Sequence, residues 1–181
     1  SVNNVFGDKN INEAINKVIG SYKLASCEDQ VFIQPMLQDI KISGVAFTKD
    51  PNNGSFYYII NYDDHSGKSD TVTSGDGCNL KIFYHVKYSP DPDVEWKKQL
   101  IALLKELETF FNNENLDVEF AFDKNMNLYL FQVRPLVINN FTIDKEAHKK
   151  AMESIFSRTS ELSKPYPYLF GKKSIFGIMP D

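Results

Sequence analysis

Cysteine is nearly missing: Cys27 and Cys78 are the only two in 181 residues. So few thiols exclude a disulfide framework and fit a reducing compartment, with a lone Cys27 to Cys78 bridge as the open alternative. Basic excess is missing too. Twenty Lys and Arg stand against 24 Asp and Glu, a formal net charge of -4. Without a positive field a polyphosphate backbone is not attracted, so nucleic acid is a poor partner, and any anionic ligand must be held by a few placed cations. No apolar run approaches the roughly 20 residues of a membrane span. The N-terminus has neither a basic stretch nor an apolar signal core. These absences predict a cytoplasmic chain with no membrane partner. Repeats and low-complexity segments are also lacking. What remains, 42% hydrophobic residues over this length, suffices for one ordinary domain or two small ones without staples.

Periodicity organises the rest. "NINEAINKVIGSY" spaces Ile11, Ala14, Ile15, Val18, Ile19 and Tyr22 as one helical stripe, with Asn10 and Glu13 as a capping box. "QVFIQPML" is an apolar run stopped by Pro35, read as a strand. "IKISGVAFTKDPNNG" alternates and then breaks, and "SFYYIINY" reads as its hairpin partner. The polar stretch "DDHSGKSDTVTSGDG" reads as a loop with a short strand at "DTVTS". In "NLKIFYHVKYS" the apolar face is expected to be Leu80, Ile82, Tyr84, Val86 and Tyr88, and the wet face Lys81, Phe83, His85 and Lys87. A second helix is expected to open with Asp91 and Pro92 in cap and first-turn roles and to carry Trp96, Leu100, Leu103, Leu104, Leu107 and Phe111 on one stripe. Thr142 is placed to cap a third helix, and residues 157–181 show no period.

The chemistry lies in "DVEFAFDKNMNLYLFQVRP", residues 117–135. Strand alternation groups Asp117, Glu119, Ala121 and Asp123 on one face of the first strand. On the second it groups Leu128, Leu130, Gln132 and Arg134, opposite Tyr129, Phe131 and Val133. A turn at "DKNMNL" then brings Glu119 near Gln132 and Arg134. A carboxylate and an amide oxygen side by side suit a hard divalent ion such as magnesium, and an arginine two residues on can fork onto phosphates. From spacing alone the plainer reading is a cross-strand Glu119 to Arg134 salt bridge with Gln132 capping an edge.

Four stretches, in order, resemble the nucleotide-binding part of phosphoenolpyruvate synthase and pyruvate phosphate dikinase, an ATP-grasp family. They are "VFIQPML", "SGVAFTKDPNNG", "GKSDTVTSG" and "DVEFAFDKNMNLYLFQVRPL", together covering about residues 30–136. The resemblance implies Mg2+ and ATP as cofactor and substrate. It makes Glu119 and Gln132 the metal ligands and Arg134 the catalytic arginine on the ATP phosphates. Gln34, Met36 and Leu37 match the segment edging the adenine, and Asp70 matches an acid near ribose and metal, though Ser69 replaces the preceding Gly and Asp replaces Glu. Lys49 stands where the family has Arg, keeping the charge and losing the planar fork; a solvated turn lysine is the alternative. For Asp70 the alternative is loop capping beside Thr71 and Ser74.

The resembled enzymes pass a phosphoryl group from ATP to a carrier histidine and on to pyruvate. Their first lobe lies upstream of the position of Ser1, and their carrier-histidine domain and barrel lie beyond that of Asp181. None of His65, His85 and His148 has the carrier setting. The expectation is therefore a second ATP-grasp lobe at residues 1–141 and a helix with an irregular tail at 142–181, binding nucleotide weakly without turnover. A related dikinase acting on an antibiotic hydroxyl or a glucan, and a non-catalytic binding or scaffold module, stay open. The expected fold is α+β, with a mostly antiparallel sheet over 31–34, 40–47, 56–61, 80–88, 118–122 and 128–133. Helices at 11–22, 94–111 and 144–156 should cover one face. The other face is expected to be an open nucleotide groove, with apolar surface through which a homodimer could form.

Overall fold

A computed structural model describes residues 2, 5–22, 26, 28–67, 80–138, 143–165, 168 and 173–174. The chain divides into two compact units, Ser1–Asp39 and Ile40–Asp181.

In the first unit, α1 spans Asp8–Gly20 and starts after Gly7, whose φ of 83° suits a residue without a Cβ. The helix begins two residues before the expected capping box. The Asn10 side chain instead donates to the Phe6 carbonyl at 2.8 Å. Residues 31–34 are not the expected strand: they have no regular structure. Phe32 and Ile33 are 82% and 63% exposed, so this run has the composition of a strand without a sheet to bury it. Pro35 further denies the run an amide for a ladder.

The second unit is built on a five-stranded antiparallel sheet in the order β3-β2-β1-β4-β5. Its strands are β1 Ile40–Phe47, β2 Tyr57–Asp63, β3 Lys81–Val86, β4 Leu116–Asp123 and β5 Leu128–Pro135. Helix α2, Glu95–Phe111, lies on one face. Leu100, Ile101, Leu104 and Leu107 are buried against Ile42 and Ala46 of β1, Tyr58, Ile60 and Tyr62 of β2, and Val118, Phe120 and Phe122 of β4. Trp96, the only tryptophan, packs edge-on to Tyr62 and Phe122 with ring centroids 4.9 and 5.8 Å away. Phe111, expected in this stripe, is 49% exposed, and Ile101 takes a core place instead. The 3.6-residue period carries Phe111 off the buried arc as the helix ends at Asn112 in the left-handed conformation. Asp91 does not cap this helix; Val94 holds the N-cap position, and Asp91 binds Lys105 at 2.8 Å.

β3 presents its faces the opposite way from the hydropathy pattern. Ile82 and Tyr84 are each 58% exposed, whereas His85 is buried and Phe83 packs on the core. The helix side of this strand is lined by residues that look polar but find partners there. Lys87 pairs with Glu108 of α2 and lies over the Tyr58 ring, Tyr58 Oη donates to Glu108 Oε2 at 2.8 Å, and Lys97 sits 4.0 Å above the Phe83 ring. Burial pulls the Lys87 ammonium below its usual range against the opposing bond to Glu108, and burial followed by that carboxylate pushes the Tyr58 phenol up. A paired lysine is thus an acceptable core residue, which alternation counted by hydropathy cannot register.

Helix α3 spans Lys145–Leu162, longer than expected, and is followed by a small hairpin of β6, Lys164–Pro165, with β7, Lys173–Ser174. Its cap is Asp144, whose carboxylate accepts from the Ala147 amide at 2.6 Å. Thr142, Cys27, Cys78 and the "DTVTS" strand lie outside the described residues. The sheet face away from α2 is only partly open. Val45, Ile59, Asp63, Ala121 and Asp117 are buried there, while Gln132 and Arg134 are exposed. No helix among the described residues is long and apolar enough to cross a membrane.

Gly44 of β1 lies hard against the neighbouring strands β2 and β4. A Cβ placed on it would stand 2.4 Å from the Asn61 carbonyl oxygen and 2.9 Å from the Phe120 ring. Gly44→Ala should therefore force strands apart and cost about 1–3 kcal/mol, read as a lower urea midpoint by circular dichroism. An unchanged midpoint would show that the sheet yields at this point.

His85 supplies a pH dependence. Its ring stacks on Tyr58, its Nε2 is buried without a hydrogen-bond partner among the described residues, and burial, aided by the nearby Lys105 and opposed by Asp91, lowers its pKa from 6.5. The unfolded chain then binds the proton more readily, so stability should fall as pH drops below about 6.5 toward the folded value. In His85→Phe this part of the acid loss should vanish in denaturation curves taken between pH 7 and 5.

Candidate functional site

β4 is the inner strand of the hairpin that carries the candidate residues, hydrogen-bonded to β1 on one side and to the edge strand β5 on the other. Its buried Val118, Phe120 and Phe122 fix one face to α2, which leaves Asp117, Glu119, Ala121 and Asp123 to the other. The turn back to β5 is closed by Asp123. Its Oδ1 accepts from the amides of Asn125 and Asn127, and its Oδ2 accepts from the Asn127 side chain at 2.9 Å. These bonds hold the Asp123 carboxyl below its usual range despite opposing desolvation.

Pairing from the turn runs Phe122 to Leu128, Ala121 to Tyr129 and Phe120 to Leu130. It then shifts by one. Glu119 faces Gln132, Val118 faces Val133, and Asp117 faces Arg134. Phe131 has no opposite number, a one-residue β-bulge. Strict alternation had put Leu128 and Leu130 on the face of Gln132 and Arg134. The bulge corrects this, with the two leucines sharing the α2 face with Phe120 and Phe122. Glu119, Gln132 and Arg134 do share a face.

The salt bridge at this site is Asp117 to Arg134, rather than the Glu119 to Arg134 pair that spacing suggested. Arg134 Nε donates to Asp117 Oδ2 at 2.8 Å. That bond, the Asp117 charge and a smaller contribution from Glu119 raise the guanidinium pKa further. The Asp117 side chain is 8% exposed and that of Arg134 is 59% exposed, so a buried acid holds a largely exposed cation by its inner nitrogen. The terminal amino groups of the arginine are left to the exposed side. Asp117 Oδ1 is buried and has no partner among the described residues. Among the same residues neither the Glu119 nor the Gln132 side chain is committed to a hydrogen bond or ion pair. Asp117 shares a face with Glu119 by simple alternation but is given no role by the sequence; its position opposite Arg134 follows from the bulge.

The remaining candidates lie elsewhere. Lys49 follows the end of β1, where its ammonium is 3.5 Å from Glu114 Oε2 and 4.6 Å above the Phe56 ring. Glu114 also accepts from Lys145 of α3 at 3.2 Å. Burial tends to raise the Glu114 pKa, but Lys145, with help from Lys87 and Lys49, brings it below the ordinary value. Gln34 and Met36 are exposed and Leu37 is half-buried in the first compact unit. Asp70 lies outside the described residues. No group of three or more His, Cys, Asp or Glu that could hold a metal occurs among the described residues. Any hard cation here would take Glu119 and Gln132 oxygens and fill the rest of its shell with water or ligand oxygens.

Removing Arg134 strands a buried carboxylate, whereas removing Glu119 strands nothing. Arg134→Ala should cost about 1–3 kcal/mol in urea unfolding, and Glu119→Ala no more than about 0.5 kcal/mol. Equal costs would count against the ion pair as a structural element. Neither the models of protein families nor the curated proteins contain a match to this sequence.

Proposed function

We propose that this chain is the second lobe of an ATP-grasp nucleotide-binding domain in a phosphoenolpyruvate synthase-like dikinase. Such an enzyme transfers a phosphoryl group from Mg-ATP to a carrier histidine and from there to pyruvate. The observation that carries the reading is the register that sets Glu119 opposite Gln132, with Arg134 two residues on and held by its inner nitrogen. The four motifs that resemble the dikinase family add to it.

In this reading Glu119 and Gln132 would hold Mg2+, which when bound shields the charge of the triphosphate oxygens. The Arg134 terminal nitrogens contact phosphate oxygens and stabilise charge as the phosphoryl group departs. Asp117 keeps the guanidinium oriented before the nucleotide arrives, so little is lost to reorganisation. Phosphoryl transfer of this kind rests on positioning and electrostatics, which matches a site of two carboxylates, one amide and one arginine. The acceptor, whether pyruvate, an antibiotic hydroxyl or a glucan, is chosen by other domains of such enzymes.

A second reading, a non-catalytic nucleotide-binding or scaffold module, is favoured by the engagement of Lys49 with Glu114 and Phe56, which withdraws one expected phosphate cation. Amide NMR titration with Mg-ATP tests the shared part of both readings. Shifts are expected at Glu119, Gln132 and Arg134, with binding at least tenfold weaker in Arg134→Ala, a loss of about 1.4 kcal/mol. No shift at millimolar nucleotide would sink the assignment.

A further inference from the structure

The bulge at Phe131 is not demanded by burial. Without that residue β5 would pair regularly, Leu130 with Phe120 and Gln132 with Glu119, and every side chain would keep its present face. Leu128 and Val133 would still pack on the core, Leu130 would still share the face of Phe120, and Gln132 and Arg134 would still turn away. The hydrophobic pattern therefore gives no reason for the extra residue.

What the extra residue does change is local geometry. A bulge sets two residues against one, raises the twist and re-aims the side chains beside it. Here the irregularity falls between Glu119 and Phe120, next to the pair formed by Glu119 and Gln132. The turn half of the hairpin, closed by Asp123, stays in register on one side of the bulge. The Asp117 to Arg134 pair stays in register on the other.

We propose that Phe131 is a positioning residue: by its presence as an extra link, rather than through its ring, it aims Gln132 at Glu119 so that both oxygens can meet one hydrated divalent cation carrying a polyphosphate. This rests on the reading of the hairpin as a metal-phosphate site.

The test compares wild-type chain, Phe131→Ala and a deletion of Phe131, each titrated with Mg-ATP. Cross-strand amide contacts serve as the check on fold. Phe131→Ala keeps the extra link and should bind within about twofold of wild type. The deletion should keep the contacts of Asp117 with Arg134 and of Glu119 with Gln132, yet bind Mg-ATP roughly 10–100-fold more weakly, as for other lost orienting groups around a metal. Manganese in place of magnesium gives a second readout, because broadening of the Gln132 side-chain amide relative to Glu119 should diminish in the deletion and persist in Phe131→Ala. A deletion that binds like wild type overturns the proposal, as does one that binds normally but self-associates, which would make the bulge a guard of the sheet edge. A deletion that cannot fold, or a Phe131→Ala variant as weak as the deletion, overturns it too. If wild type itself fails to bind, the metal-phosphate reading is what falls.

Discussion

The Phe120 ring lies where a side chain at position 44 would have to be, and the arrangement of the sheet follows from that contact. It locks Gly44 opposite Phe120, and a one-residue slip would present every β4 side chain to the wrong layer. With that register fixed, Val45 must face Glu119, Ala46 must face Val118, and the acids of β4 have only the face away from α2 to occupy. The leucines of α2 then close over the aromatic layer. The candidate site is thus the reverse side of the core, and its placement follows from packing a few ångströms away.

This relation explains which parts were legible in the sequence. α2 and the two hairpins β1–β2 and β4–β5 announce themselves because their periods come from burial on one side. β3 defies its hydropathy pattern because its inward side, Phe83, His85 and the following Lys87, includes a histidine and a lysine whose partners Tyr58 and Glu108 are distant in sequence. Residues 31–34 were read as a strand from composition, although a strand needs a neighbouring ladder that composition cannot supply. In β5 the string Leu-Tyr-Leu-Phe-Gln-Val-Arg holds two alternations out of phase by one, and the phase slip at Phe131 was there to be counted. Glu119, Gln132 and Arg134 were legible as a group. The engagement of Arg134 by Asp117, and of Lys49 by Glu114, depended on side-chain geometry.

A common electrostatic rule runs through the second unit. Three carboxylates at the margins of the core each take a cation and decide how much of it solvent sees. Glu108 hides Lys87 almost wholly, Glu114 gathers Lys49 and Lys145 at a half-open position, and Asp117 exposes most of Arg134. Only the last arrangement leaves a guanidinium directed outward from a buried anchor. The same chemistry therefore serves as internal brace in two places and as presented charge in a third.

The position of Trp96 has an optical consequence. As the sole indole, touching both Tyr62 of β2 and Phe122 of β4, it makes intrinsic fluorescence a report on the seating of α2 against the sheet. Excitation energy absorbed by Tyr62 can pass to it over this short separation, and detachment of the helix would break that transfer while reddening the emission. Movements confined to the outward side of β5 would leave the signal unchanged, so one spectrum separates loss of the core from rearrangement of the site.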